Sequence, residues 1–221
     1  MNQVLESKYP ETSGEPEFFR EKNPFPESHE DDMGESTIHY KLISYLFNAL
    51  EVFLADQPDV FKSANLNFYY DEDDSKKYYI PDIMVAFGVS SRDRKVYKLW
   101  EEKLCPQVVF EVSSEVTWKK DISDKVETYE KLGVEEYYLL DPENLYLPLP
   151  LMAYRRDETG RLRLVMTENE RILSPLLQLE VVWTEGRFRL FDPEIQEFLL
   201  TTEELKAELD KLRAALEKIN L

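Results

Sequence analysis

The sequence predicts an α/β fold: a mixed sheet flanked by helices in the order αβββαβ, followed by extra C-terminal strands and a C-terminal amphipathic helix. Apolar side chains recur at helical spacing over residues 38–54, and short apolar segments without that spacing follow. The most apolar of these segments, 107–113, precedes a helical segment at 121–132 and another apolar segment at 136–140. This succession is typical of two parallel strands joined by a crossover helix.

The segments before the crossover are delimited by residues that disfavour regular structure. The first helix is expected to begin around residues 32–36 and to end before Pro58, because proline interrupts helices. The segment 107–113 is expected near the centre of the sheet, because it is apolar almost throughout. The remaining segments are a strand at 60–70, an acidic turn at 71–74, a strand at 78–87, and a basic loop or short helix at 90–105.

The C-terminal part of the chain predicts further strands and then a helix. Residues 151–191 contain strand-like segments separated by hairpin turns at 157–160 and near 185–186. From residue 193 onward we expect a helix whose apolar residues alternate steps of four and three, the a/d spacing of a coiled coil. The residues of this seam are Phe198, Thr202, Leu205, Leu209, Leu212, Leu216 and Ile219. An isolated helix of this length is marginal in water, so we expect a homodimer or another coiled-coil partner.

Three regions are expected along the chain: an acidic N-terminal tail at 1–32, a folded domain at 33–193 and the C-terminal helix at 194–221. The first region is rich in Glu and Pro and lacks apolar periodicity, which is typical of a surface-bound or disordered tail. No segment approaches the roughly 18 consecutive apolar residues of a membrane span, and the first residues do not resemble a signal peptide. With Cys105 alone and thus no internal disulfide, a cytoplasmic location is expected.

The charge balance and the scarcity of Cys and His restrict the functions that remain. The net charge of −18 argues against a chain that binds nucleic acid through a broad basic surface. One Cys and two His residues nearly exclude a zinc site of the Cys/His type. Any metal ion is therefore expected on oxygen ligands, which points to Mg²⁺ or Mn²⁺.

Two acidic residues interrupt apolar strand segments. Asp82 lies in IPDIMVAF and Glu111 lies in VVFEVSS, where an ionised carboxylate is costly to bury unless a cation or a hydrogen-bond donor meets it. Each could be a structural acid that caps backbone amides or pairs with Arg or Lys, and for Asp82 taken alone this is the favoured interpretation. The alternative is that the two carboxylates share a divalent cation, because their segments are expected to be neighbours in one sheet.

The crossover helix carries a stripe of polar residues. Asp121, Lys125 and Tyr129 follow one another at a spacing of four, so they lie on one side of the helix. The stripe is either a solvated salt bridge beside a surface tyrosine, or it faces the sheet and places Lys125 over Glu111. The sequence leaves these two alternatives open.

Another pair of candidate groups, Glu35 and His39, lies near the start of the first helix at the same spacing. A lone histidine near a helix end is more often structural, so an accessory role at the site is the less favoured alternative. The Ser113–Ser114 pair has no candidate histidine partner within sequence reach, so serine catalysis is not expected.

The order of these motifs resembles the Uma family of restriction-endonuclease-like proteins in the PD-(D/E)XK nuclease superfamily. The matching elements are the Pro81–Asp82 dipeptide, the strand ending in EVSS, the D-x-x-x-K-x-x-x-Y motif that begins at Asp121, and LGVEEYYLLDP at 132–142. The resemblance covers roughly residues 34–193 and implies a restriction-endonuclease-like core in which Asp82 and Glu111 are metal ligands. The superfamily lysine is expected two residues after the acid, where this chain has Ser113, so Lys125 is expected to replace it from the next helix.

Two functional hypotheses from different classes follow. The first is a metal-dependent endonuclease that hydrolyses phosphodiester bonds of DNA with Mg²⁺ or Mn²⁺, using Asp82, Glu111 and Lys125 as catalytic residues. Its accessory residues would be Glu35, His39 and Asp121. The second is a catalytically silent interaction module that uses its C-terminal helix for partner binding or dimerisation. The acidic charge balance favours the second hypothesis, and the joint presence of the three catalytic candidates favours the first.

Overall fold

The computed structural model describes residues 36–167 and 169–219. The predicted tail at 1–32 and the candidate accessory residue Glu35 lie outside the described residues. The helices are α1 (Thr37–Phe53), α2 (Leu99–Glu102), α3 (Trp118–Asp121), α4 (Asp124–Leu132) and α5 (Thr202–Ile219). The strands are β1 (Val60–Ala64), β2 (Phe68–Tyr69), β3 (Tyr78–Tyr79), β4 (Ile83–Phe87), β5 (Tyr97–Lys98), β6 (Val108–Val112), β7 (Glu136–Leu140), β8 (Leu151–Arg156), β9 (Leu162–Val165), β10 (Arg171–Ser174), β11 (Leu179–Thr184), β12 (Arg187–Asp192) and β13 (Glu197–Phe198). No helix within the two described ranges has both the length and the hydropathy of a membrane span.

A six-stranded mixed sheet in the order β1-β4-β6-β7-β8-β9 forms the centre of the molecule. Strands β6 and β7 run parallel, and every other neighbouring pair in this sheet is antiparallel. The parallel strands are joined through α3 and α4, which confirms the predicted strand–helix–strand connection. This order confirms the α/β class that the sequence predicted.

Two smaller sheets flank the central one. Strands β10-β11-β12-β13 form an antiparallel sheet, and β3-β2-β5 form a three-stranded sheet. The two predicted hairpin turns are present between β8 and β9 and between β11 and β12. Gly160 and Gly186 lie in these turns at φ of +81° and +71°, the left-handed region that glycine adopts without strain.

Side chains of the central sheet alternate between two faces, and each face is covered by its own apolar core. On one face, called the α1 face here, Leu46 and Leu50 of α1 pack in the same core as Phe110 of β6. On the opposite face, called the α4 face, the ring of Tyr129 from α4 packs against that of Tyr137 from β7, with ring centroids 5.0 Å apart. The candidate site lies on the α4 face.

The strands predicted at 60–70 and 78–87 are each divided in the structure. Asn65 adopts a φ of +50°, which a continuous strand does not accommodate, so the chain forms β1 and then β2. Pro81 has no amide hydrogen, and the Asn65 amide instead donates to the carbonyl oxygens of Pro81 and Asp82 at 3.2 and 3.3 Å. The irregular backbone at Pro81 leaves Asp82 immediately before β4.

The helix predicted at 121–132 is two helices, α3 and α4. The break lies at Ser123, whose φ of −126° and ψ of −88° are outside the helical region. Asp121 therefore ends α3, whereas Lys125 lies in the first turn of α4. Gly133 follows the last residue of α4 with a φ of +97°, the left-handed conformation in which a glycine commonly ends a helix.

The C-terminal helix begins later than the sequence predicted. Residues 197–198 pair with β12 as β13, and the Phe198 ring packs edge-on against Phe191 instead of starting the helical seam. Helix α5 begins after a reciprocal cap. The Thr201 amide donates to Glu204 Oε2 at 2.8 Å, and the Glu204 amide donates to Thr201 Oγ1 at 3.2 Å.

Candidate active site

Asp82 and Glu111 lie opposite each other on two adjacent antiparallel strand segments. Ile83 of β4 pairs with Phe110 of β6 in an antiparallel register, so Asp82, which precedes Ile83, lies opposite Glu111, which follows Phe110. Because side chains alternate along a strand, both carboxylates point to the α4 face. Asp82 is 8% exposed and Glu111 is 2% exposed. The Val112 amide donates a hydrogen bond to Asp82 Oδ2 at 2.5 Å, which holds the first carboxylate against the second strand.

Lys125 brings a positive charge to the two acids from the neighbouring helices. Its Nζ atom lies 2.9 Å from Glu111 Oε2 and 2.9 Å from Asp121 Oδ1. Its side chain is mostly buried, because its apolar stem follows the sheet while the ammonium reaches the carboxylates. Of the two alternatives that the sequence left open, the stripe of α3 and α4 therefore faces the sheet.

Hydroxyl groups complete the cluster around the carboxylates. The Tyr129 hydroxyl donates to Glu111 Oε1 at 2.8 Å, and the Ser113 hydroxyl donates to Asp121 Oδ2 at 3.1 Å. The Tyr137 hydroxyl donates to the backbone oxygen of Asp121 at 3.1 Å. Sequence analysis had not assigned Ser113 or Tyr137 to the site. Strand alternation is the signal that could have found them, because Ser113 lies two residues after Glu111 and Tyr137 lies on the same face of β7.

His39 approaches the cluster from the first turn of α1. Its Nε2 atom lies 3.3 Å from Asp82 Oδ1. Helix α1 begins after Ser36, whose Oγ accepts a hydrogen bond from the His39 amide at 3.2 Å. This N-cap places the start of α1 beside the site, since it fixes where the helix begins. The structure therefore brings His39 to Asp82.

The cluster opens to solvent through a cleft of about 450 Å³. Its inner lining includes His39, Asp82, Glu111 and Lys125, and its other lining residues include Glu115, Val116, Glu143 and Tyr146. Asp141 organises the loop that carries the last two of these, because its Oδ2 accepts hydrogen bonds from the amides of Leu145 and Tyr146 at 2.9 and 2.6 Å. An external ligand that enters the cleft would meet the carboxylates of Asp82 and Glu111 and the ammonium ion of Lys125 in its inner part, with Glu115 and Glu143 elsewhere in its lining.

The cluster holds more negative than positive charge. Burial raises the pKa of Glu111 to about 7, and Lys125 opposes this rise whereas Asp82 and Asp121 add to it. Burial alone would lower the pKa of Lys125, but the Glu111 and Asp121 carboxylates raise it above the ordinary lysine value. Lys125 is therefore an ammonium ion at neutral pH. One ammonium cannot neutralise three carboxylates, so proton uptake by Glu111 relieves part of the excess.

The donor set at the cleft fits a small, hard divalent cation. Asp82 and Glu111 offer the oxygen ligands that Mg²⁺ and Mn²⁺ prefer, and a cation would offset the excess negative charge. Across residues 36–167 and 169–219, no three His, Cys, Asp or Glu side chains are close enough together to enclose a metal ion. The protein would thus contribute two carboxylates and leave the other coordination positions to water or substrate, which is usual for Mg²⁺.

The basic segment 90–105 contributes no residue to the lining of the cleft. Arg92 and Arg94 both pair with Glu102, at N–O distances of 3.1 and 2.7 Å. The Arg94 guanidinium also lies over the Phe61 ring, 4.3 Å from its centroid. These contacts fold the segment onto itself, and the cleft is lined from other parts of the chain.

A family model described as "Uma2: Putative restriction endonuclease" matches residues 31–189. The chain belongs to the Uma2 family. The matched range contains all the residues of the cluster, so the resemblance drawn from the motifs is confirmed, and with it the restriction-endonuclease-like core. Among solved structures, the Uma2 chain is similar to a crystal structure titled "a putative nuclease belonging to DUF820" from Anabaena variabilis. The TM-score is 0.47 at 13% identity, with 66% of this chain and 76% of that chain covered. No curated protein matches the chain.

In this Uma2 protein the lysine beside the second acid comes from a helix and not from the strand. Ser113 occupies the strand position where the superfamily motif has lysine, and its hydroxyl holds Asp121. Asp121 in turn contacts Lys125, whose ammonium lies against Glu111. Ser113 and Asp121 together therefore support the lysine that reaches Glu111.

Proposed function

We propose that the protein is a metal-dependent endonuclease that hydrolyses phosphodiester bonds of DNA. The observation that carries this proposal is the convergence of Asp82, Glu111 and Lys125 at one solvent-accessible cleft. Two carboxylates beside one ammonium ion provide oxygen ligands for a cation and a positive group for an anionic substrate. Membership of the Uma2 family supports the same class of reaction.

The two carboxylates have the metal-binding role in this proposal. Asp82 and Glu111 would hold Mg²⁺ or Mn²⁺ at the cleft, with water and a phosphate oxygen as further ligands. When bound, such an ion polarises the phosphate and lowers the pKa of a bound water molecule. The Val112 amide and the Tyr129 hydroxyl hold the two carboxylates in position. His39, at 3.3 Å from Asp82 Oδ1, orients that carboxylate from the opposite side.

Lys125 acts as a positioned cation. Because its pKa is raised, it is protonated at neutral pH and donates hydrogen bonds instead of accepting a proton. Its ammonium group would orient the attacking water and stabilise the negative charge that develops on the phosphate oxygens. Asp121 holds the ammonium from behind and is fully buried, so its role is to position Lys125.

The acidic surface affects how DNA would bind. A net charge of −18 repels the phosphate backbone, so we expect weak binding that depends strongly on divalent cations. Because monovalent salt screens this repulsion, cleavage should be detected more readily at moderate than at very low ionic strength, with the divalent cation concentration held constant.

Plasmid nicking tests the proposal. The purified chain should convert supercoiled plasmid to the open-circular form with Mg²⁺ or Mn²⁺ and not with EDTA. Asp82→Ala and the more conservative Asp82→Asn should remove this activity. Asp73→Ala is the matched control, because Asp73 is an exposed aspartate in the turn before β3. Nicking that survives in both Asp82 variants, with the metal requirement unchanged, would contradict the proposal.

The second candidate function is a catalytically silent interaction module. The observation that favours it is a row of exposed leucines on α5, which the catalytic proposal does not use. A wild-type chain that cleaves neither duplex nor single-stranded nucleic acid under any of the metal conditions would support this alternative.

A further inference from the structure

Helix α5 carries a row of exposed leucines along one side. Leu205, Leu209, Leu212 and Leu216 repeat at a/d spacing, and their exposure ranges from 42% for Leu205 to 62% for Leu212. We call these four residues the leucine stripe. A continuous apolar row on a helix is normally covered by another apolar surface, because its exposure to water is unfavourable.

The base of α5 is firmly attached to the folded body. The Arg189 guanidinium of β12 donates to both carboxylate oxygens of Glu204, at 3.0 and 2.9 Å. The same guanidinium and the Tyr45 hydroxyl both donate to the backbone oxygen of Leu199, at 3.0 and 3.1 Å. Beyond this base, all the side chains from 206 to 218 are exposed. The leucine stripe therefore begins at a fixed point on the body and extends away from it.

The charged residues beside the leucine stripe are complementary to a second copy in parallel orientation. With the leucines at positions a and d, Glu208 occupies a g position, and Lys206 and Arg213 occupy e positions. In a parallel pair, position g faces position e of the following heptad on the other helix, so Glu208 meets Arg213 of the second copy. In an antiparallel pair, e positions face each other, so Lys206 would meet Arg213 and repel it.

Glu208 and Arg213 are able to change partners at little cost. Glu208 pairs with Lys211 at 2.6 Å, and Arg213 approaches Asp210 at 3.8 Å. All four side chains are more than half exposed. Exposed ion pairs of this kind contribute little stability, so exchanging them for pairs between two helices is not opposed by the existing contacts.

Apolar surface continues from the base of the leucine stripe onto α1. A groove of about 650 Å³ lies between α1 and the start of α5, and Tyr40, Val52 and Leu205 are among its lining residues. Tyr40 and Val52 are themselves exposed. A second copy seated on the stripe would cover this groove as well, which extends the contact beyond the short helix.

We propose that the leucine stripe binds the same stripe of a second copy, in parallel and in register, so that the protein is a homodimer joined by a two-stranded coiled coil. Closed two-fold symmetry is the commonest arrangement of homo-oligomers. An isolated helix of this length is only marginally stable. The attachment of its base to the folded body and the contact of the second copy with the groove would provide the additional stability.

Sedimentation of the full chain over a range of concentrations tests the proposal. The wild-type chain should show a monomer–dimer equilibrium. The double variant Leu209→Glu/Leu212→Glu should be monomeric throughout, and its melting temperature should match that of the wild-type chain at concentrations where the wild type is monomeric, because both leucines are exposed in the single folded chain. The matched control is Ala207→Glu/Ala214→Glu, on the opposite side of α5, which should still dimerise. A monomeric wild-type chain, or a trimer or larger assembly, would overturn the proposal.

Charge reversal tests the orientation. Glu208→Arg and Arg213→Glu should each weaken the dimer about tenfold, because each change replaces two attractive contacts with two repulsive ones. The double reversal Glu208→Arg/Arg213→Glu should restore the wild-type dissociation constant. If Arg213→Glu alone tightened the dimer, it would be pairing with Lys206 of the second copy. The helices would then be antiparallel, and the proposal would be wrong.

Discussion

Glu111 and Glu136 are two buried glutamates on adjacent parallel strands, yet only Glu111 belongs to the candidate site. Each is 2% exposed. Each accepts a hydrogen bond from a tyrosine hydroxyl, Tyr129 for Glu111 at 2.8 Å and Tyr138 for Glu136 at 2.9 Å. They differ in position: Glu111 lies near the end of β6 on the α4 face, whereas Glu136 begins β7 and points to the α1 face.

Glu136 links the central sheet to the segment that follows β10. The Leu176 amide donates to Glu136 Oε1 at 3.0 Å, and the Ser174 hydroxyl donates to Oε2. These donors and the Tyr138 hydroxyl are neutral groups that saturate the carboxylate within the protein. The cleft beside Glu111 does not include Glu136. Its role is therefore structural.

Burial in an apolar strand does not by itself show that an acid is functional. An acid in an apolar strand indicates only that some group must satisfy it. Glu111 differs from Glu136 because its neighbours include Asp82, Asp121 and Lys125, and because a cleft connects it to solvent. A group of charges that does not balance internally and opens to solvent is suited to bind an ion or an anionic ligand.

The largest effect is expected from Lys125→Met, which changes the charged surroundings of Glu111. Methionine keeps most of the volume of the stem and removes the ammonium that contacts Glu111 and Asp121. Under the proposed function, the initial rate of metal-dependent plasmid nicking should fall by about a thousandfold. Mn²⁺ binding, measured by calorimetry, should persist or tighten because a positive charge has left the site.

Lys131→Met is the control for this prediction, since Lys131 lies on the same helix and is 75% exposed. It should cleave at the wild-type rate. If Lys125→Met lost stability without metal, regained it with metal and still cleaved plasmid, Lys125 would be a buried counter-ion and not a catalytic residue.

A substitution of Glu136 should lower the stability of the fold and leave cleavage unchanged. Glu136→Ala leaves the donors Tyr138, Ser174 and Leu176 without their acceptor in a buried position. The free energy of unfolding in urea should fall by about 2–3 kcal/mol, while folded protein cleaves at the wild-type rate. Glu135→Ala is the matched control, because Glu135 makes a partly exposed ion pair with Arg156 and should cost less than about 1 kcal/mol. A Glu136→Ala variant that is stable but inactive would contradict the structural role assigned to Glu136.

In metal-free protein, the free energy of unfolding should depend on pH because of the raised pKa of Glu111. Its pKa rises from an ordinary value of 4.5 to about 7 on folding, so the folded state holds a proton that the unfolded state releases. The stability from this group is therefore present below pH 4.5 and is lost as the pH rises to about 7, by roughly 1 kcal/mol per pH unit. Urea unfolding in EDTA should show this decline for the wild-type chain and not for Glu111→Gln. If the free energy of unfolding changed with pH equally in the two proteins, the pKa of Glu111 would not be raised in the folded state.

The smallest effects are expected from the two tyrosines that serve the two glutamates. Tyr129→Phe and Tyr138→Phe each remove one buried hydroxyl donor, and each should cost about 1 kcal/mol of unfolding free energy. Only Tyr129→Phe should also reduce plasmid nicking, severalfold, because only Tyr129 positions a carboxylate of the cleft. Equal loss of nicking in both variants would show that general destabilisation explains the change.

Local sequence pattern predicts the elements that carry the site but not their breaks. The spacing of Leu42, Leu46 and Leu50 predicts α1, and the unbroken apolar run of β6 predicts a central strand. The break at Ser123 and the short strand β13 were not predicted. Both depend on packing against other parts of the chain, and periodicity within a segment carries no information about that packing.

The candidate site, too, could be predicted only in part from the sequence. Asp82 and Glu111 stand out because each interrupts an apolar segment, and Lys125 stands out because it follows Asp121 at a spacing of four. Sequence alone left open whether that stripe faced water or the sheet, and it did not include Ser113 or Tyr137.

By itself, then, the sequence determined the order of the elements, the polar residues within apolar strands and the spacing of the leucines on α5. These are properties of residues close together in the chain, and they follow from the periods of helices and strands. Only the tertiary structure decided that Asp82 faces Glu111, that Lys125 reaches both Glu111 and Asp121, and that Glu136 is satisfied on the opposite face. The reason is physical: the charge state and role of a buried group depend on its neighbours in space, and here those neighbours come from distant parts of the chain.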